Sequence, residues 1–219
     1  DHLDKRIELL HRYVECDFRE IGCMDDIFAV VDVAFNAIYL DGLRAIKTLT
    51  ERINGSVATK TFTKRLEHVE ANFHAFFAPM GWNSYDVVHK KPIEVATWNR
   101  FMPLYAGAVS KTEAADLVTK LNDSNTFAGT YGLRTTAANE PSYDPEDGFW
   151  RGPVWASPHW FIARGLRQYG YDTEANSLRD QLVTLIETSG WREQYHPDTG
   201  TGQGASNFTW SGLALDLYT

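Results

Sequence analysis

Two stretches of this chain combine residue types able to do chemistry. Gly148-Phe149-Trp150-Arg151-Gly152-Pro153-Val154-Trp155 sets two indoles around an arginine, and Gly152 allows the backbone to turn tightly. Indole faces stack on the apolar C–H faces of sugar rings, while a guanidinium fork gathers hydroxyl or carboxylate oxygens. The same residues would serve equally well as a core-packing tryptophan pair with a surface arginine. Further on, Gly190-Trp191-Arg192-Glu193-Gln194-Tyr195-His196-Pro197-Asp198-Thr199-Gly200 places one carboxylate, Glu193, between Trp191 and Tyr195. Such surroundings can tune a carboxylate to take a proton or to activate a water. The competing reading is a structural ion pair of Glu193 with Arg192 or Arg151.

Other chemistries find little support. His2, His11, His68, His74, His89, His159 and His196 are scattered, with no His-x-x-x-His pair beside an acidic partner, so no metal site is expected. Two cysteines, Cys16 and Cys23, neither build a disulfide scaffold nor complete a metal quartet. The chain carries no G-x-S-x-G elbow, Walker loop or dinucleotide fingerprint, and no cofactor is called for.

The elements that must position these stretches read as helices joined by loops, with little period-two alternation. Leu3, Ile7, Leu10 and Val14 repeat at helical spacing. A second helix runs from about Phe28 through Val31, Phe35, Ile38, Ile46, Leu49 and Ile53, stopped by Asn54-Gly55. Ser56 can cap a third, with Phe62, Leu66, Val69, Phe73 and Phe76 on one face until Pro79. Ser110-Lys111-Thr112-Glu113 is a capping box for a helix burying Leu117, Val118 and Leu121. Ser157-Pro158 starts a fifth, with Ile162, Leu166 and Tyr169. Asp172 caps a sixth, carrying Leu178, Leu182, Leu185 and Ile186 and closed by Gly190. Ser206 or Asn207 starts the last, with Trp210, Leu213 and Leu217 inward. The reading is one all-α domain over residues 1–219, with long Gly-Pro-aromatic loops of the kind that carry function.

Composition narrows the partners. In 219 residues, hydrophobic types make up 43% and charged types 23%, enough apolar material for a real core. A net charge of -8 counts against binding nucleic acid through its phosphates, and no stretch is apolar for the ~20 residues of a membrane span. Five of the seven tryptophans (Trp150, Trp155, Trp160, Trp191 and Trp210) fall towards the C-terminal end. Low cysteine use favours the cytoplasm while leaving the compartment open. The chain opens at Asp1, with neither methionine nor signal sequence, and reads as processed or truncated.

Taken together and in order, the segments resemble glycoside hydrolase family 63 and its bacterial relatives. Phe149 to Trp155, followed by a helix ending in Gly165-Leu166-Arg167-Gln168-Tyr169-Gly170-Tyr171, is similar to the family's tryptophan–arginine segment. Trp191 to Gly200 resembles its G-[FW]-x-E-x-[YF]-x-P-x-T-G loop, and Phe208-Thr209-Trp210-Ser211 its closing F-x-W-[ST] helix. Val31 to Ile38, Pro103 to Gly107, and Tyr131 to Thr135 leading into Glu140 to Pro145 also look familial. The resemblance covers about residues 28 to 219. It implies an (α/α)6 toroid of helical hairpins around a sugar pocket, and inverting hydrolysis of α-glucosides or α-mannosides without a cofactor. Inversion needs an acid to protonate the leaving oxygen and a base to activate water. The family's base corresponds to Glu193. The glycone pocket would draw on Trp150, Arg151 and Trp155, with further substrate contacts from Trp191, Tyr195 and Trp210.

The departures are as informative. The family's acid is an aspartate in a Gly/Asn/Ser-rich motif upstream of the Asp32 segment. Asp17, Asp25 and Asp26 lie upstream here, but their neighbours do not match that motif. The family usually has asparagine where this chain has His159. About seven helices also cannot close a ring of six hairpins. The chain is therefore expected to be the base-bearing C-terminal part of a toroid, incomplete at its N-terminus, with helix faces exposed for self-association. Two other readings stay open: a non-catalytic carbohydrate-binding or structural fragment, and a sugar isomerase or epimerase, which would need His159 and His196 in its pocket.

Overall fold

The computed structural model describes residues 2–18, 28–54 and 60–218. Eight α-helices dominate among them: α1 (His2–Glu15), α2 (Val33–Asn54), α3 (Lys60–Phe77), α4 (Met102–Tyr105), α5 (Lys111–Leu121), α6 (Ala156–Gln168), α7 (Asp172–Ser189) and α8 (Leu213–Asp216). Short 3-10 turns precede α4 at Trp98–Phe101 and α8 at Thr209–Gly212. The class is all-α, as the helical periodicity implies. The helices α2, α4, α6 and α8 pack side by side, with α3 against α2 and α7 against both α6 and α8. That is an inner row backed by outer helices, an arc of a hairpin toroid. Gly165 makes the row tight, because a Cβ there would lie 2.6 Å from the backbone nitrogen of Tyr105.

Several helix ends follow the expected chemistry. The Ser110–Glu113 capping box forms in both directions, with Glu113 N–H donating to Ser110 Oγ and Ser110 N–H to Glu113 Oε2. Gly190 ends α7 at φ +74°, a conformation costly for other residues. Pro158 sits in the first turn of α6, where its missing N–H is harmless. The Ser56 cap falls outside the described residues.

Four expectations are corrected. The second helix starts at Val33 rather than near Phe28, because Asp32 caps it, accepting Phe35 N–H at 2.7 Å on Oδ1. The residues before it form β1 (Val30–Val31), paired antiparallel to β2 (Tyr85–Asp86), which pairs in turn with β3 (Lys91–Pro92). Asp172 is the first residue of α7, not its cap, and its predecessor Tyr171 makes no side-chain cap bond. The segment around Ser206 is extended: β4 (Arg192–Tyr195) and β5 (Gly202–Ser206) make an antiparallel hairpin. Trp210 then falls in a 3-10 turn and is 45% exposed rather than inward.

The main core gathers Leu40, Phe101, Met102, Leu104, Leu117, Ile162 and Leu166 between the inner and outer helices. A second cluster of Val154, Ala156, Leu182, Leu185, Tyr195 and Ala214 lies where the β4–β5 hairpin meets α7. On α2, by contrast, Phe35, Ile38, Ile46, Leu49 and Ile53 form an exposed apolar stripe along the helix. Cys16 is disulfide-bonded. Among the described residues, no helix is long and apolar enough to cross a membrane.

Candidate active site

The two chemistry-bearing stretches meet through the backbone. Val154 and Tyr195 exchange both hydrogen bonds, N–H to O at 2.7 Å one way and 2.9 Å the other. This antiparallel bridge places Trp155 one residue from the junction on one side and Glu193 two residues from it on the other. Separation in sequence is thereby cancelled by one pair of backbone bonds.

Aromatic side chains build a continuous wall beside the junction. Phe161 stacks on Trp98 and Trp98 on Trp150, with centroids 6.3 Å and 6.4 Å apart. Trp150 stacks on Trp155, Trp155 leans on Trp210 at 5.9 Å, and Trp210 meets Phe208 at 5.2 Å. Trp155 is only 1% exposed and its indole N–H donates to the Phe149 carbonyl, so it is the buried support of the wall. Phe149 offers that carbonyl from φ +56°, a strained conformation for an aromatic residue, of the sort that clusters at functional sites. Trp150 is half-buried, and Trp210 and Trp191 are exposed; Trp191 lies over Gly212.

Glu193 is free of ion pairs among the described residues. Arg192 instead spans β5, donating to the carbonyls of Gly202 and Gly204, while Arg151 is exposed and paired loosely with Asp144 at 3.4 Å. The structural ion-pair reading of Glu193 therefore does not hold. Its direction comes from an irregularity in the hairpin. Arg192 faces Ser206 and Gln194 faces Gln203, so two steps on β4 oppose three on β5. Bulges of this kind release a backbone donor and re-aim a side chain. Here Ala205 N–H leaves the ladder and donates to Glu193 Oε2 at 3.0 Å. Gly204 makes room at φ +63°, since a Cβ would lie 2.6 Å from that oxygen. Oε1 accepts no hydrogen bond among the described residues and is half-open to solvent with the rest of the side chain.

Tyr195 is fully buried, and its hydroxyl reaches Gly190, Arg192 and Ser211. In this chain it packs under the site rather than presenting a surface to a ligand. The two histidines that an isomerase would need are structural here. His159 is 0% exposed, donates from Nδ1 to the Trp155 carbonyl and accepts Leu133 N–H on Nε2. His196 accepts Asp198 and Thr199 N–H on Nδ1 and donates from Nε2 to Glu146. No group of three His, Cys, Asp or Glu side chains among the described residues could hold a metal.

Against this geometry, residues 3–211 match the family described as mannosylglycerate hydrolase MGH1-like glycoside hydrolase domain. The chain belongs to that family. It is 32% identical to mannosylglycerate hydrolase of Thermus thermophilus over 98% of this chain and 51% of the relative. It is 27% identical to glucosylglycerate hydrolase of Mycolicibacterium hassiacum over 60% of this chain and 30% of that one. The crystal structure of the family 63 mannosylglycerate hydrolase from Thermus thermophilus in complex with Tris superposes with TM-score 0.86 at 30% identity, covering 97% of this chain and 51% of the other. Neutral trehalase of Saccharomyces cerevisiae, at 18% identity and TM-score 0.61 over 86% of this chain and 37% of its own, shares the fold. The chain thus spans about half the length of the mannosylglycerate hydrolases it matches.

Within this MGH1-like chain, the structure gathers Trp150, Trp155 and Trp210 into one wall. It joins that wall to Tyr195 and Glu193 by the Val154–Tyr195 bridge. Arg151 is held by its own loop, with Nε donating to the Gly148 carbonyl. Sequence reasoning missed Trp98, which continues the wall from a separate turn, and the Gly204–Ala205 bulge that holds Glu193. The glycines of Gly202-Gln203-Gly204 were the available signal, since closely spaced glycines in an extended segment mark a bulge.

Proposed function

We propose that this protein hydrolyses α-glycosides with inversion, and that Glu193 is the general base. The observation that carries the reading is the state of the Glu193 carboxylate. One oxygen is held by Ala205 N–H while the other accepts no hydrogen bond among the described residues, and the Val154–Tyr195 bridge ties this strand to the segment carrying the Trp150–Trp155 stack, a surface suited to a sugar face. A base that must take a proton from water needs such a fixed carboxylate with one free oxygen. Trp150 and Trp210 would meet the glycone, Arg151 and Trp191 its hydroxyls and aglycone, and Trp155 and Tyr195 would act from beneath. The substrate class is an α-mannoside or α-glucoside of a small hydroxy acid, following the names of the relatives. The acid that protonates the leaving oxygen is taken to lie outside these 219 residues, in keeping with relatives about twice as long.

The test is to assay the protein carrying this sequence on α-mannosyl and α-glucosyl glycerates, following the first-formed anomer by NMR. The expected product is the β-anomer, and Glu193→Gln should remove activity while leaving the fold intact. Retention of configuration, or normal turnover in Glu193→Gln, would overturn the assignment. The 219-residue chain alone should be close to inactive.

A further inference from the structure

A general base works only if its carboxylate points at the place where the water will be. The ladder between β4 and β5 is broken at Glu193, so regular strand pairing does not set that direction. Something else must hold the backbone that carries it. The peptide groups of Arg192, immediately before Glu193, are held on both sides by buried hydroxyls. Arg192 N–H donates to Tyr195 Oη at 3.1 Å, and Ser211 Oγ donates to the Arg192 carbonyl at 2.9 Å. The two hydroxyls touch each other at 2.9 Å, and Tyr195 Oη also donates to the Gly190 carbonyl at 2.8 Å. Both Tyr195 and Ser211 are 0% exposed.

We propose that Tyr195 and Ser211 are positioning residues for Glu193: a buried hydroxyl clamp on Arg192 that sets the angle at which the base leaves its strand. This inference rests on Glu193 being the base. Ser211 comes from the 3-10 turn that also carries Trp210, so the clamp fixes Glu193 relative to the aromatic wall as well. Its geometry suits that task better than simple adhesion. A core tyrosine could satisfy its hydroxyl on any carbonyl, yet here the hydroxyl accepts the N–H of Arg192, which flanks Glu193, and touches Ser211, whose own hydroxyl holds the Arg192 carbonyl. The arrangement is also stiff, because buried polar groups that lose a partner carry the full cost of desolvation.

The experiment uses Tyr195→Phe and Ser211→Ala in the full-length protein, with Glu193→Gln as control and thermal melts for all three. A misplacement on the order of 1 Å can lower a rate as much as 100-fold. Each clamp variant is expected to lose roughly 10- to 100-fold in kcat, with KM within about twofold of the parent. Added azide should recover part of the lost rate in the clamp variants. Azide attacks the anomeric carbon as the bond to the aglycone breaks and, unlike water, has no proton for a base to remove. The clamp is overturned if both variants keep parental kcat, or lose only thermal stability, while Glu193→Gln is inactive. Activity in Glu193→Gln without azide would instead overturn the underlying mechanism. Should Ser211→Ala fail to fold, Tyr195→Phe decides the matter, since it keeps the ring in the core.

Discussion

Trp150 lies face to face on Trp155, with ring centroids 4.0 Å apart and planes within 11° of each other. One indole reaches the surface and the other is the layer beneath it, so the same substitution at the two positions should have different effects. Trp155→Ala is expected to cost about 3–5 kcal/mol of stability, the range for removing a buried large aromatic. Trp150→Ala should cost less stability and instead raise KM for the glycoside. Paired thermal melts and steady-state kinetics will separate the two. Equal KM effects with equal stability losses would show that the wall has no ligand-facing side.

Gly204 is the place where a single methyl should disturb the Glu193 carboxylate. A Cβ there falls 2.6 Å from Glu193 Oε2, on a backbone at φ +63°. Gly204→Ala is expected to lose about 1 kcal/mol in denaturant melts from the backbone conformation alone. Its kcat should fall well beyond what that loss explains, because the carboxylate must leave the Ala205 N–H. Unchanged kcat would argue that this hydrogen bond does not orient the base.

Arg134 is the anchor of the turn that follows β4. Its Nη1 donates to the carbonyls of Ser124, Thr126 and Ala128, and its Nη2 meets Asp198 at 2.7 Å. The arginine side chain is 9% exposed and the aspartate 41%, so the two ends of the pair are not equivalent. Arg134→Met strands several acceptors and is expected to cost about 3 kcal/mol. Asp198→Asn, at the wetter end, should cost about 1 kcal/mol or less. Chemical denaturation of both variants and the double variant would measure the coupling.

His159 makes the fold acid-sensitive. Burial holds its imidazole neutral, moving its pKa down from 6.5 to about 4, against a smaller upward pull from the Trp155 carbonyl. Between those values the unfolded chain binds a proton that the folded chain refuses. Stability is therefore full above about pH 6.5 and falls as pH drops towards 4, by on the order of 3 kcal/mol. Urea melts at pH 7 and pH 5 should show the loss. His159→Asn, carrying the residue that the family resemblance expects here, should remove most of that slope. A parent protein equally stable at both pH values would contradict the buried neutral histidine.

What could be read from the sequence was whatever a residue decides locally. The capping box at Ser110, the stop at Gly190 and the amphipathic faces of α5 and α6 need only near neighbours, and all form. The hairpin was harder to see. β5 is Gly-Gln-Gly-Ala-Ser, with none of the branched or aromatic side chains that signal a strand, because it contributes backbone groups rather than packing. The two-residue strands β1, β2 and β3 are too short to show alternation at all. Residue types singled out Trp150, Trp155 and Glu193 as candidates, but not which indole was buried. That distinction depends on Trp98 and Trp210 arriving from distant turns, which no local pattern records.

The Val154–Tyr195 bridge makes a mechanical unit of two segments that could otherwise have moved independently. A lid that closes over a sugar must spend part of its contact energy on ordering itself. Here the wall that would grip the ring and the strand that carries the carboxylate share a rigid joint, with hydrogen bonds of 2.7 Å and 2.9 Å. Any displacement of Trp155 is transmitted to Glu193 through that pair of hydrogen bonds and the few backbone units on either side of it. On the proposed mechanism, discrimination between substrates would then appear in turnover as readily as in affinity: a ring seated poorly on the indoles would also leave its anomeric carbon out of line with Glu193.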